Sequence, residues 1–222
     1  MLIFPAGEAD PVLCHSPALG CAGLIVPGSD VLVTPKSSKA DTKSKYSLDL
    51  VDVGPSIVGV NPMMCNKVRN SPSEQFYFIQ FQMVRTALER GLVEGLPAFD
   101  KSEIKAEITI GESRFDFRCS KDGISYYVEV KGVPCACIED TPLSPKKKAQ
   151  MMDTINKTEN KIAYFPDGYR KSTEEVISPR ALKHVQHLGR LVRERDTVCV
   201  LLFIVQRRDC VSFQPTKNDP GG

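Results

Sequence analysis

The sequence predicts a mixed α+β and α/β fold, in which a β-rich front precedes an α/β unit with a mixed central sheet. Short hydrophobic segments separated by Pro and Gly fill residues 24–60, which is typical of a small sheet. Two helix starts, Ser71-Pro72 and Ser178-Pro179, flank a series of alternating strands. The apolar run 198–205 follows the second helix, so it predicts a strand buried on both faces and parallel to a neighbour.

The front part contains four predicted strands and one basic loop. The strands cover residues 23–27, 30–34, 46–53 and 57–60. The loop 36–45 joins the second strand to the third. Its lysines are candidates for binding phosphates: Lys36, Lys39, Lys43 and Lys45.

The back part begins with a helix predicted from the Ser71 cap to Arg90, where Gly91 ends it. Three strands are predicted next, at 105–110, 113–120 and 124–133. Residues 134–163 show no regular pattern, and we interpret them as an irregular insertion.

The second helix has an apolar row and a basic row. The apolar row, predicted to face inward, contains Leu182, Val185, Leu188 and Val192. The basic row on the opposite face contains Arg180, Lys183, His184 and His187. Residues 141–195 carry 12 Lys/Arg against six Asp/Glu, whereas residues 1–140 carry 14 against 18. This asymmetry indicates either a polyanion-binding surface or a solvated helix face.

Cysteine usage and hydropathy predict a soluble, intracellular protein. The eight cysteines show no spacing typical of a disulfide framework, so we expect reduced thiols. The one close pair, Cys135-Ala136-Cys137, has no matching second pair, so no zinc site is predicted. No nucleotide cofactor is predicted either. The first residues do not resemble a signal peptide, and no apolar run approaches the ~20 residues that cross a bilayer. We therefore expect no membrane partner, and the sequence does not indicate an oligomeric state.

The stretch 113–133 reads as a hairpin with acids in unusual places. A two-residue Asp122-Gly123 loop would pair Lys121 with Ile124 and set Asp116 opposite Glu129. Lys131 would lie on that same face, opposite Arg114, whereas Phe115, Phe117 and Val128 would face the core. A three-residue loop would shift this register by one residue.

Two opposed carboxylates repel each other, so something must compensate their charge. One candidate is Mg²⁺ or Mn²⁺, held by Asp116, Glu129 and the backbone carbonyl of Val130. The other is a surface ion-pair cluster with Arg114 and Lys131. A metal would suit phosphodiester hydrolysis, with Asp116, Glu129 and Lys131 as the catalytic residues.

At this point the chain resembles the sugar fermentation stimulation protein family. Asp116 followed by Glu129-Val130-Lys131 matches the short D…(D/E)-x-K core of restriction-endonuclease-like nucleases. The segments GESRFDF, YYVEVKGV, FPD, SPRALKHVQHL and VLLFIVQRRD recur in the same order in that family. The resemblance covers nearly the whole chain.

The resemblance implies an OB-like β-barrel domain over residues 1–70 and a nuclease-like α/β domain over 71–222. It implies nucleic acid, DNA first, as the partner. Relatives usually begin earlier and continue further, so we expect an incomplete barrel and a truncated C-terminus. The matching positions add supporting residues for the site: Arg114, Asp167, His184 and Gln206. They also add candidates for nucleic-acid binding: Arg180, Lys183 and Arg207.

Three functions stay open on these residues. The first is DNA binding on a nuclease-like fold, and the second is metal-dependent nuclease activity. The third is a regulatory protein with a vestigial site. Asp167 is equally explained as a turn residue, His184 as a satisfied histidine, and Gln206 as the polar end of a strand.

Overall fold

The structure is a computed structural model that describes residues 1–7, 9–16, 24–36, 43–61, 79–138, 158, 160–166, 172, 174–217 and 219. The first strands are β1 (Leu2–Ile3), β2 (Val12–His15), β3 (Val31–Pro35), β4 (Tyr46–Asp52) and β5 (Ile57–Gly59). Next come α1 (Ile79–Glu89), β6 (Ile104–Ile110), β7 (Ser113–Lys121), β8 (Ile124–Val133) and β9 (Ala136–Cys137). The last elements are β10 (Lys161–Phe165), α2 (Pro179–Leu191), β11 (Thr197–Val205) and β12 (Cys210–Pro215). The mixed α/β class is confirmed.

The front sheet has the strand order β1-β2-β4-β3, and β5 also pairs with β4. The predicted strand at 23–27 is wrong, because residues 24–29 form turns around Pro27-Gly28. The strands β1 and β2 were not predicted, because they are only two and four residues long, respectively. Across the described residues, these strands form an open sheet and not a closed barrel.

The central sheet has the order β11-β8-β7-β6, and the two helices cover its opposite faces. Phe81 of α1 stacks on Phe117 of β7, with ring centroids 4.3 Å apart. Leu188 and Leu191 of α2 pack on the other face. The predicted parallel pairing of the last apolar strand is confirmed, because β11 runs parallel to β8.

The first helix ends where the sequence predicts. Its last residue is Glu89, and Gly91 adopts a φ of +64°, a left-handed conformation that favours glycine at a helix end. The predicted cap at Ser71-Pro72 lies outside the described residues.

Two burial predictions are wrong. Every residue of β11 is half-buried, because β11 is an edge strand of the described sheet. The inward row of α2 consists of Ala181, His184, Leu188 and Leu191. Val185 and Val192 are 43% and 51% exposed and Leu182 is half-buried, so only Leu188 of the predicted apolar row is buried. His184 belongs to the buried row because its imidazole contacts the buried carboxylate of Glu129.

The third sheet, β12-β10-β9, packs against the front sheet. Cys135, Cys137 and Tyr164 share one hydrophobic core with Leu48 and Val51 of β4. The interpretation of 134–163 as wholly irregular is therefore wrong, since β9 and the start of β10 fall within it. Neither described helix is long and apolar enough to cross a membrane.

A buried ion cluster fixes β10 to the segment before β12. Asp209 accepts two hydrogen bonds from Arg207, each 2.9 Å long, and one from Lys161 Nζ at 2.5 Å. The three side chains are at most 1% exposed. Burial acts to raise the pKa of Asp209, but the hydrogen bonds from Arg207 and Lys161 outweigh it and lower this pKa to about 2.

Candidate functional site

The hairpin between β7 and β8 has the predicted turn. Asp122 and Gly123 both have positive φ angles, 50° and 82°, as a type I′ loop requires. The register runs from Lys121 opposite Ile124 to Phe117 opposite Val128, so the predicted pairing is confirmed over these residues.

The ladder stops at the residue where the acids begin. Continued pairing would point the Val130 amide at the Phe115 carbonyl, but this amide donates to Oδ2 of Asp116 at 2.7 Å. On the other side of β7, Glu107 has a φ of 52° and interrupts the regular pairing. Phe115 consequently turns toward α2 and does not join Phe117 in the α1 core, which corrects the predicted alternation.

Glu129 is buried among charged groups on the α2 side of the sheet. Its side chain is 3% exposed, and Oε1 accepts a hydrogen bond from Lys131 Nζ at 2.5 Å. The same Oε1 contacts Nδ1 of His184, which is also buried. Among the described residues, Oε2 has no hydrogen-bond partner. A buried carboxylate oxygen without a partner is energetically costly.

Asp116 lies close enough to Glu129 to feel its charge. Burial and the Glu129 carboxylate raise the pKa of Asp116 to about 6, although the Val130 amide, Lys131 and Arg180 act in the opposite direction. The charge of Glu129 thus acts on Asp116, whereas the direct pairing of the two residues across the hairpin stays a prediction. The expectation that Glu129 projects from a non-core face is wrong, because it is buried against His184 of α2.

Of the supporting residues, His184 contacts Glu129, whereas Arg114 and Gln206 make other contacts. Arg114 forms an ion pair with Glu107 at 3.2 Å. Gln206 lies against the front sheet, where a Cβ atom on Gly59 would be 2.5 Å from its Oε1. Asp167 lies outside the described residues.

The candidates for nucleic-acid binding also separate. Arg180 is exposed at the start of α2, and Lys183 is exposed but pairs with Glu112 at 3.1 Å. Arg207 must be removed from the set, because it is buried and its guanidinium binds Asp209.

In the front loop, Lys43 and Lys45 are exposed, whereas Lys36 is half-buried. The ammonium of Lys36 donates to Ser44 at 2.7 Å. Lys39 lies outside the described residues.

The sequence reasoning placed His184 on the outer face and so missed its contact with Glu129. A signal was available, because Ala181, His184, Leu188 and Leu191 fall at i, i+3, i+7 and i+10, which also makes one helix face. A histidine in an apolar row requires a buried partner, and Glu129 is that partner.

A family model described as the sugar fermentation stimulation protein RE domain matches residues 79–145 and 147–220. The chain belongs to this family. The matched segments contain the whole β7–β8 hairpin and α2, and therefore Asp116, Glu129, Lys131 and His184.

Curated relatives agree with this assignment. The chain is 29% identical over 215 residues to the sugar fermentation stimulation protein homolog of Acetivibrio thermocellus, covering 94% of this chain and 70% of that protein. The homolog of Trichodesmium erythraeum is 26% identical over 211 residues, with 92% and 65% covered.

A solved structure of Pyrococcus furiosus SfsA in complex with Ca²⁺ has the same fold. The TM-score is 0.54 at 19% identity, and the match covers 89% of this chain and 63% of that one. The family member described here thus spans about two thirds of the length of the proteins it matches.

Proposed function

We propose that this protein binds nucleic acid, DNA in the first instance, and that Asp116 and Glu129 hold a divalent cation against a phosphate. The observation that carries the proposal is the buried Oε2 of Glu129, which has no partner among the described residues, beside a second carboxylate. Burial of two like charges is unfavourable unless a cation or a proton neutralises them.

The donor set fits Mg²⁺ or Mn²⁺. Among the described residues, no three His, Cys, Asp or Glu side chains converge as a complete metal cage. Two carboxylates, supplemented by the Val130 carbonyl where the ladder ends, leave positions for waters and a substrate phosphate, which is how Mg²⁺ is usually bound. The Ca²⁺ complex of the Pyrococcus furiosus relative supports an oxygen-ligand cation site.

Hydrolysis of the phosphodiester is the second candidate, and Lys131 favours it. Its ammonium lies 2.5 Å from Oε1 of Glu129, on the face where the phosphate would approach. There it would stabilise negative charge that develops on the phosphate during cleavage. A bound divalent cation would activate the attacking water and neutralise the leaving oxygen.

The fold proposal follows the same lines. We propose that the central sheet with its two helices is restriction-endonuclease-like, in agreement with the description of the matching family domain. The front sheet would be the open remainder of an OB-like barrel, with its basic loop near Lys43 and Lys45 available to phosphates. If no cleavage at all is observed, the favoured function becomes that of a regulatory protein with a vestigial site.

Labelled oligonucleotides test binding and cleavage together. The wild type and the Asp116→Ala and Glu129→Ala variants are incubated with single- and double-stranded DNA in Mg²⁺, Mn²⁺ or EDTA. We expect binding by all three proteins and cleavage by the wild type with a metal only. Cleavage that survives in both variants would contradict the assigned site, and binding without cleavage would leave the DNA-binding proposal standing alone.

A further inference from the structure

Three half-buried phenylalanine rings form a cluster beside the candidate site. Phe203 of β11 lies 4.5 Å from Phe213 of β12 and 5.5 Å from Phe165 of β10, measured between ring centroids. All three side chains retain partial exposure to solvent. We name these residues the phenylalanine cluster.

The cluster faces the same side of the central sheet as the carboxylates. Successive side chains of β11 alternate, and Val200, Leu202 and Ile204 pack toward α1. Phe203 must therefore point to the α2 side, as Cys199 does. In the parallel register, Phe203 pairs with Lys131, whose ammonium contacts Glu129. Neighbouring strands are about 4.8 Å apart, so the rings begin one strand away from the site.

The cluster is not part of a hydrophobic core of the described chain. The three cores, centred on β4, on the α1 face and on the α2 face, contain none of its members. Aromatic side chains dominate core energetics when buried, so three adjacent rings left half-exposed indicate surface kept for a partner with flat apolar faces.

We propose that Phe165, Phe203 and Phe213 form a stacking platform for the unpaired bases of a nucleic-acid strand whose phosphate lies at Asp116 and Glu129. This inference rests on the proposed function and specifies its substrate as single-stranded. The bases of a duplex stack on one another, whereas unpaired bases expose their faces to aromatic side chains. Lys131 and the exposed Arg180 supply positive charge for the backbone on the same side of the sheet.

Fluorescence anisotropy with three ligands tests the platform. The ligands are a single strand, the corresponding duplex, and an abasic strand with the same number of phosphates, all measured in Ca²⁺. The double variant Phe165→Leu/Phe213→Leu keeps apolar bulk but removes two stacking faces. Phe213→Tyr retains a ring, and Phe4→Leu removes a 74% exposed phenylalanine of the front part as a control.

We expect the wild type to bind the single strand more tightly than the duplex or the abasic strand. The double variant should lose about tenfold in single-strand affinity per ring and little on the abasic strand. Phe213→Tyr and Phe4→Leu should bind as the wild type does. Equal wild-type affinity for ordinary and abasic strands would overturn the platform. So would an equal loss on all three ligands, because the rings would then be a structural seam between sheets. If the wild type binds no ligand, the proposed function fails and the platform with it.

Discussion

Nδ1 of His184, on α2, contacts Oε1 of Glu129, on β8. Both residues are buried, with 5% and 3% exposure, and they are 55 residues apart in the chain. The contact joins the helix to the strand that carries the acid, and it leaves Oε2 without a hydrogen-bond partner among the described residues. Through this relationship α2 fixes the position of Glu129, the proposed cation ligand.

Removing the imidazole should weaken cation binding without removing a proposed ligand. His184→Leu keeps a side chain of similar volume but frees Glu129 to rotate. Loss of a residue that orients a metal ligand typically costs about 10–100-fold in metal affinity. Calorimetric titration with Mn²⁺ measures this loss. His187→Leu on the same helix, which packs against Phe115, is the matched control and should bind Mn²⁺ normally. Equal affinities in the two variants would rule out a positioning role for His184.

The pH dependence of stability should carry the signature of Asp116. Its pKa rises from 3.8 to about 6 on folding. The metal-free folded protein therefore binds this proton more tightly than the unfolded chain does. The resulting stabilisation is complete below pH 4 and is lost as the pH rises through about 6. The shift corresponds to about 2 to 3 kcal/mol.

Asp116→Asn should consequently stabilise the metal-free protein above pH 6 and change little near pH 4. Urea unfolding in EDTA at several pH values measures the difference in the free energy of unfolding. A variant that is less stable than the wild type at pH 7.5 would show that folding does not raise the pKa of Asp116. In the wild type, added Mn²⁺ should restore stability above pH 6 and have less effect below it, because a protonated Asp116 is a poor ligand.

The buried Lys161–Asp209–Arg207 cluster should be important for stability. Asp209→Ala removes the buried carboxylate that accepts hydrogen bonds from Arg207 and Lys161, and loss of one partner of a buried ion pair typically costs about 3–5 kcal/mol. Urea unfolding of the variant measures this cost. Glu89→Ala breaks the half-exposed Arg85–Glu89 pair on α1 and should cost only about 0.3–0.5 kcal/mol from the lost ion pair. Comparable losses in the two variants would contradict the structural role assigned to the buried cluster.

Arg180 should contact a phosphate of the bound nucleic acid. It is exposed, and its charge reaches Asp116. Arg180→Gln should reduce the slope of log affinity against log salt by about one, which corresponds to one lost phosphate contact. Affinity measured at four or more salt concentrations gives the slope. Arg85→Gln, on the opposite face of the sheet, should leave the slope unchanged, and an equal slope in both variants would assign Arg180 to solvated surface.

Local chemistry made much of the hairpin and both helix ends predictable. Asp122-Gly123 supports only a few turn types, so the register of β7 and β8 followed from it. Gly91 ended α1, and Pro179 at the first position began α2, although the Ser178 side chain makes no capping hydrogen bond, contrary to the prediction. The assignment of Asp116 and Glu129 to one interacting pair followed from that register.

What the sequence did not reveal depends on tertiary contacts. Helical periodicity allowed two inward rows in α2, and only the buried partner Glu129 selects the row with His184. Arg207 was predicted to bind phosphates, but its guanidinium is buried and donates hydrogen bonds to Asp209, two residues away. Gln206 likewise packs on Gly59, a contact between segments far apart in the chain.

Titration of Mn²⁺ by electron paramagnetic resonance at pH 7.5 tests the central claim most directly, because it detects the cation without requiring cleavage. The account predicts that the wild type binds Mn²⁺, that Asp116→Asn and Glu129→Gln each lose most of this affinity, and that Mg²⁺ competes for the site. Asp100→Asn, which changes an exposed acid away from the site, should bind as the wild type does. Undiminished Mn²⁺ binding in both site variants, or no binding by the wild type, would contradict the assignment of Asp116 and Glu129 as a cation site.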